Sequence, residues 1–180
     1  SLNDLAELYR LQRDYKGAEP LFRRALGIWQ TKLGADHPSV GTALNNLGLV
    51  YKGQRKYADA ESNYRKALEI REKSLGPNDP AVAASLNNLA SLRYRQGVYK
   101  EAEPMFKRAL SIIKIAVGVA HPRYSRGAKN YAVLLRKLGR EEEADSILDS
   151  IKSKQELIQI ENDKKVQSSS EEKDSEDKGS

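Results

Sequence analysis

The sequence predicts an all-α fold: an α-solenoid of about four helix–turn–helix units closed by a C-terminal helix. Three observations predict it. The first is a 42-residue period. Leu2-Asn3 recurs as Leu44-Asn45 and Leu86-Asn87, and Tyr15, Tyr57 and Tyr99 keep the same offset. So do Ala18, Ala60, Ala102 and Ala144. The second is apolar spacing of helical type inside each unit. The third is punctuation in constant phase: Gly34, Gly76 and Gly118, each followed by Pro38, Pro80 and Pro122. The repeat region is expected over 1–162, with units 1–43, 44–85, 86–127 and 128–162, followed by a tail over 163–180.

Composition narrows the class. Of 180 residues, 39% are hydrophobic and 31% charged, polar overall yet apolar enough to fold. No run approaches the roughly 18 apolar residues of a membrane span. Ser1-Leu2-Asn3-Asp4 lacks the basic and apolar order of a signal peptide, and a cytoplasmic location is expected. There is no Cys, which excludes thiolate metal sites and a Cys nucleophile.

Unit one begins with no cap evident before Leu2, as a segment of a longer array would. Its second helix contains Pro20 and carries Trp29, the only Trp. Trp29 is expected to pack on a neighbouring helix. Its counterparts Arg71 and Ile113 suggest a part-exposed position.

Unit two is the clearest. Ala43, Leu44, Leu47, Val50 and Tyr51 form one stripe; Tyr57, Ala60, Tyr64, Ala67, Leu68 and Leu75 form the other. Gly53-Gln54-Arg55-Lys56 is the turn between them. Gly48 and Ala90 allow close helix approach, with Tyr64 and Phe106 filling the space beside them. Gly76 is placed as a left-handed cap, Asp79 as an N-cap and Pro80 in the next first turn.

Unit three places Arg93 where Tyr9 and Tyr51 stand, and that charge is expected to escape the helix seam. Pro104 lies where Ser62 stands in unit two. Unit four is more polar, and Glu141-Glu142-Glu143 suits the positive end of a terminal helix. One long helix, or two with a break near Lys152-Ser153-Lys154, is expected over 141–162. From Asp163 the composition turns to Ser, Glu, Lys and Asp, and disorder is expected.

Leu47-Gly48, Tyr51, Ala60, Tyr64 and Ala67 match the tetratricopeptide (TPR) signature. The longer unit, with Leu-Asn-Asn-Leu-Ala, Tyr-x-x-Ala-Glu-Pro and Arg-Ala-Leu-x-Ile, resembles the kinesin light chain type of that repeat. The resemblance covers about residues 1–150. It implies a right-handed solenoid and an adaptor role, with a partner peptide laid in the concave groove.

Chemistry is sparse. His37 and His121 share a phase that Asp79 fills in unit two, which points to capping rather than a metal. No phosphate-cradling Gly loop, HExxH or nucleophile elbow occurs, so neither an enzyme nor a cofactor is expected. Tyr94 beside Arg93 and Arg95, and Tyr124 beside Arg123 and Arg126, interleave rings with charge. The dispersed acids argue against nucleic acid.

The resemblance puts the first helix of each unit on the concave face. The candidate groove residues there are Asn45, Asn46, Leu49 and Lys52; Asn87, Asn88, Ser91, Tyr94 and Arg95; and Arg126, Lys129, Asn130, Val133, Arg136 and Lys137. Unit one would add Asn3, Asp4, Glu7, Arg10 and Leu11. The Asn pairs suit a peptide backbone and the cations an acidic ligand. The pattern of TPR chaperones that grip a terminal carboxylate is incomplete in either frame. A protein or peptide ligand, acidic in character, is therefore expected. The alternative is a self-association or sensor module of a larger signalling protein.

Overall fold

A computed structural model describes the backbone of residues 1–176 and the side chains of residues 1–163. The described residues form eight helices and no strand: α1 (Leu2–Leu11), α2 (Tyr15–Leu33), α3 (Pro38–Gly53), α4 (Tyr57–Leu75), α5 (Pro80–Arg95), α6 (Tyr99–Val117), α7 (Pro122–Lys137) and α8 (Glu141–Glu176). They divide into two compact bodies. Residues 1–116 hold α1 to α6, and α7 and α8 lie in the second.

The repeats break at the Gly-to-Pro loops. The expected boundaries at 44, 86 and 128 instead fall inside α3, α5 and α7, because they follow the Leu-Asn phase rather than the loops. Within the first body, α1 packs on α2, α2 on α3, α3 on α4 and α4 on α5. The α5–α6 hairpin is held by Tyr94 against Tyr99, with ring centroids 5.3 Å apart. In the second body α8 packs on α7.

The loops follow the chemistry of their residues. His37 Nδ1 accepts from the Ser39 N–H at 3.1 Å, and His121 Nδ1 accepts from the Arg123 N–H at 3.1 Å. Asp79 accepts from the Ala81 N–H at 2.7 Å in the same phase. The two histidines therefore cap helices. Gly34 and Gly76 have φ 89°, ψ 160° and φ 89°, ψ 159°. Their φ is positive, as a left-handed cap requires, but these values lie outside the left-handed helical region, in one that only glycine adopts readily. Ser1 accepts from the Asp4 N–H within a capping box, so α1 is capped after all. Helices α2 and α6 continue through Pro20 and Pro104.

Small residues bring the helices together. Ala6, Ala18, Ala60, Ala90 and Ala102 are fully buried, with Phe22, Tyr64 and Phe106 at equivalent positions of three repeats. The Tyr64 hydroxyl is buried without a hydrogen-bond partner among the described residues. Burial pushes its phenol well above the ordinary tyrosine value, and the Arg10 charge opposes this only in part. A buried orphan hydroxyl costs about 1–3 kcal/mol. Tyr64→Phe restores the residue of the other two repeats and is expected to raise stability by about 1 kcal/mol, read from the urea midpoint. An unchanged or lower midpoint would show that the hydroxyl is satisfied.

Trp29 is half-buried against Val40 and Leu44, as expected for a packing residue. The equivalent position is not part-exposed elsewhere: Arg71 and Ile113 are buried. Arg71 bridges three helices, donating to the Ala81 carbonyl at 3.0 Å, Ser85 Oγ at 2.8 Å and Thr42 Oγ1 at 3.5 Å. Burial holds it below the ordinary arginine value, although Asp79 pulls the other way.

Arg93 does not escape the seam. Its guanidinium is held between Glu61 of α4 and Glu101 of α6, with Nε 3.3 Å from the latter, and it donates to Gln96 at 3.1 Å. One repeat earlier, the Tyr51 hydroxyl accepts from Arg23 at 2.8 Å and lies 3.4 Å from Glu19. Glu19 and Glu61 share a phase, so one carboxylate position serves Tyr in one repeat and Arg in the next.

Helix α8 is continuous, with no break near Lys152, and runs to Glu176. That end of α8 overlaps the stretch from Asp163 for which the composition predicts disorder. Glu, Lys and Gln are good helix formers, and no Gly or Pro interrupts that stretch. Residues 177–180 of the expected tail lie outside the described residues.

Candidate functional site

In the first body the odd-numbered helices form a row: α1 touches α3, and α3 touches α5. Their amides join across it. Asn46 Nδ2 donates to Asn3 Oδ1 at 3.4 Å, and Asn88 Nδ2 donates to Asn45 Oδ1 at 2.9 Å. Asn45 is buried, so its amide serves the α3–α5 seam more than the open face. Asn46, Asn87 and Asn88 are half-buried. Ser91 turns its hydroxyl back to the Asn87 carbonyl at 2.8 Å. Leu49, Lys52 and Tyr94 are half-buried and Arg95 is exposed.

The row ends in an open cavity of about 590 Å³ beside the interhelical turns. It is lined by Arg10, Arg13, Tyr15, Leu49, Lys52, Gly53, Arg55, Tyr57 and Arg95. Five of these are cations and none is acidic. Arg10 is paired with Glu7, its Nε 2.7 Å from Oε2. Among the described residues, Arg13, Lys52, Arg55 and Arg95 make no side-chain hydrogen bond or ion pair. Burial, then the charges of Arg95 and Arg10, hold the Lys52 ammonium below the ordinary lysine value. A basic hollow with apolar Leu49 and two tyrosine rings suits an anion carried on an organic chain.

Sequence reasoning reached Leu49, Lys52 and Arg95 but missed Arg13, Arg55, Tyr15 and Tyr57. These lie in the turns and at the starts of α2 and α4, beyond the first helices searched. A signal was available: the turn phase reads Arg13, Arg55, Gly97, Gly139 down the repeats.

The second body carries its own basic helix. Arg126, Lys129, Val133, Arg136 and Lys137 are exposed on α7, and Asn130 is half-buried. Arg136 is not a bare charge, for Asp145 of α8 holds it at 2.7 Å.

Comparison places this helical row among known proteins. The pattern of the tetratricopeptide repeat matches residues 1–73, 42–115 and 81–150. The chain belongs to the tetratricopeptide repeat family. Its fold is the all-α repeat solenoid. One similar solved structure is BtubC (BKLC) from P. vanneervenii, with TM-score 0.77 and 26% identity over 88% of this chain. The chain spans 63% of the length of that protein. Another, from Podosopora anserina, bears kinesin light chain nearly identical TPR-like repeats. It has TM-score 0.76 and 21% identity over 87% of this chain and 74% of its own; a single-substitution form of it matches equally. The fold of the present chain is similar to that of those repeats. No curated protein matches the chain. TPR domains are protein–protein interaction and scaffold modules, generally without catalytic activity. No described helix is long and apolar enough to cross a membrane.

Proposed function

We propose that the protein is a non-catalytic, cytoplasmic adaptor that holds an extended acidic peptide along the α1, α3 and α5 face. The observation that carries this reading is the group of Lys52 and Arg95, unpaired among the described residues, beside apolar Leu49 on one face. Asn46 and Asn88 would hold the peptide backbone with the amide capacity that their inter-repeat bonds leave, with Asn87 beside them. Lys52 and Arg95 would select acidic side chains and speed encounter. Leu49 and Tyr94 would receive an apolar residue. On the second body, Arg126, Lys129, Val133 and Lys137 of α7 offer a face of the same chemistry, with Asn130 beside them.

Affinity should be about micromolar, since ordering a flexible peptide offsets much of the contact energy. The test is fluorescence anisotropy against a peptide array at two salt concentrations. Lys52→Glu with Arg95→Glu is expected to weaken acidic peptides at least about tenfold with helicity unchanged, and salt should weaken the parent complex. Best binders that are basic, or indifference to the double charge reversal, would remove the reading. The α7 change Lys129→Glu, measured alone, reports whether the second body contributes.

The second reading, self-association, has its own observation. Leu5, Leu8 and Leu11 of α1 are 44%, 50% and 65% exposed, an apolar strip at one end of the helical row. Light scattering separates the two: a concentration-independent monomer favours the peptide groove, and growing oligomers favour self-association.

A further inference from the structure

We propose that the basic cavity at the turn end of α1, α3 and α5 is a phosphoryl site, built around Arg13, Lys52, Arg55 and Arg95. The inference rests on the groove reading and names the group that this end of the groove takes.

The first argument is charge. Basic residues in the last turn of a helix are ordinarily explained by the helix dipole, and Arg10, Lys52 and Arg95 stand there. That explanation fails for Arg13 and Arg55, which lie beyond the helix ends. The helices α2 and α4 begin at these turns, so their positive ends offset the negative ends of α1 and α3 and leave the arginine charge uncompensated. One carboxylate brings a single charge to four cations that have no partner among the described residues. A phosphoryl group brings about −1.5 to −2 and three acceptor oxygens. Arginine forks match those oxygens in pairs.

The second argument is the backbone. Arg13 and Arg55 both have φ of 62°, and they are the only non-glycine residues described with positive φ. The same turn position holds Gly97 at φ 78° and Gly139 at φ 75° in the later repeats. Glycine takes that conformation without strain, whereas arginine does not. Two repeats thus keep a strained arginine where two others use glycine, and both strained side chains line the cavity. Strain of this kind clusters at ligand clamps and switch regions, and here it falls on two residues that line one cavity.

Tyr15 closes the floor. Its ring lies against Gly53, where a Cβ would come within 2.3 Å of the ring. Gly53 therefore lets the α2 tyrosine approach the end of α3 and shape the cavity.

Isothermal titration tests the proposal at low salt with three probes: an acidic hexapeptide bearing one phosphoserine, its unphosphorylated form, and inorganic pyrophosphate. The phosphopeptide is expected to bind at least about tenfold more tightly than its unphosphorylated form. The double variant Arg13→Gly, Arg55→Gly should lose most of that gain, yet melt about 2 °C higher because the strain is relieved. That opposite movement separates a site residue from a structural one. Pyrophosphate that binds the parent and not the double variant supports the phosphoryl site. If it also matches or exceeds the phosphopeptide, the source is a free polyphosphate rather than a modified side chain. Equal affinity of phosphorylated and plain peptides overturns the phosphoryl site and leaves the groove reading standing. Pyrophosphate binding with no peptide binding overturns the groove reading and leaves the site. A phosphoryl gain that survives the double variant overturns the assignment to this cavity.

Discussion

Gly48→Ala is expected to destabilise the protein by about 2 kcal/mol, and Tyr64→Phe added to it to recover most of the loss. A Cβ at Gly48 would lie 2.5 Å from Tyr64 Cε1 and 2.6 Å from Cδ1. The ring is fully buried and cannot swing into solvent. Overpacking of this kind costs about 1–3 kcal/mol, more than the roughly 0.5–1 kcal/mol that alanine gains over glycine in a helix. The other repeats indicate the remedy. Ala6 and Ala90 occupy the phase of Gly48, and Phe22 and Phe106 that of Tyr64. All four are buried. Alanine thus goes with phenylalanine and glycine with tyrosine. Phenylalanine at 64 is expected to let the ring settle beside alanine as Phe22 and Phe106 do. Urea unfolding of both single variants and the double reads the coupling. A neutral Gly48→Ala, or a double variant equal to the sum of the singles, would sink the account.

That pairing also shows what was legible in the sequence. The period, the helices and the caps could be read because each rests on a local rule: His or Asp before Pro, Gly where φ is positive, Ala where helices touch. Gly48 and Tyr64 were readable as neighbours for the same reason. Arg93 was misread because its partners Glu61 and Glu101 lie on two other helices, and no local rule brings them together. The Asn ladder was visible as a period of 42. Its bonds, however, run from Asn45 to Asn88 and from Asn3 to Asn46, a separation of 43 that only packing reveals. Half of the basic cavity went unseen because Arg13 and Arg55 sit in turns, where composition speaks of solvent rather than of a site.

Removing the Glu61 carboxylate is expected to cost more beside Arg93 than beside a tyrosine. Glu61→Leu leaves Arg93, whose side chain is 17% exposed, with Glu101 alone, and it deprives Arg65 of its partner at 2.9 Å. Breaking a buried pair by deleting one member costs about 3–5 kcal/mol, because the surviving charge is stranded. With Glu101 still in place, about 2–3 kcal/mol is expected here. The preceding repeat supplies the control. There Tyr51 meets Glu19 and Arg23 through a hydroxyl, with no stranded charge to fear. Arg93→Tyr should therefore be tolerated, and in that background Glu61→Leu should cost only about 1 kcal/mol, the worth of an ordinary hydrogen bond. The coupling of about 1–2 kcal/mol should persist at high salt, since the pair is shielded from solvent. Chemical denaturation of the four proteins in the cycle measures it. Equal cost of Glu61→Leu in both backgrounds would mean that Arg93 finds other solvation when the glutamate is gone, and that the repeat tolerates the charge without the carboxylate.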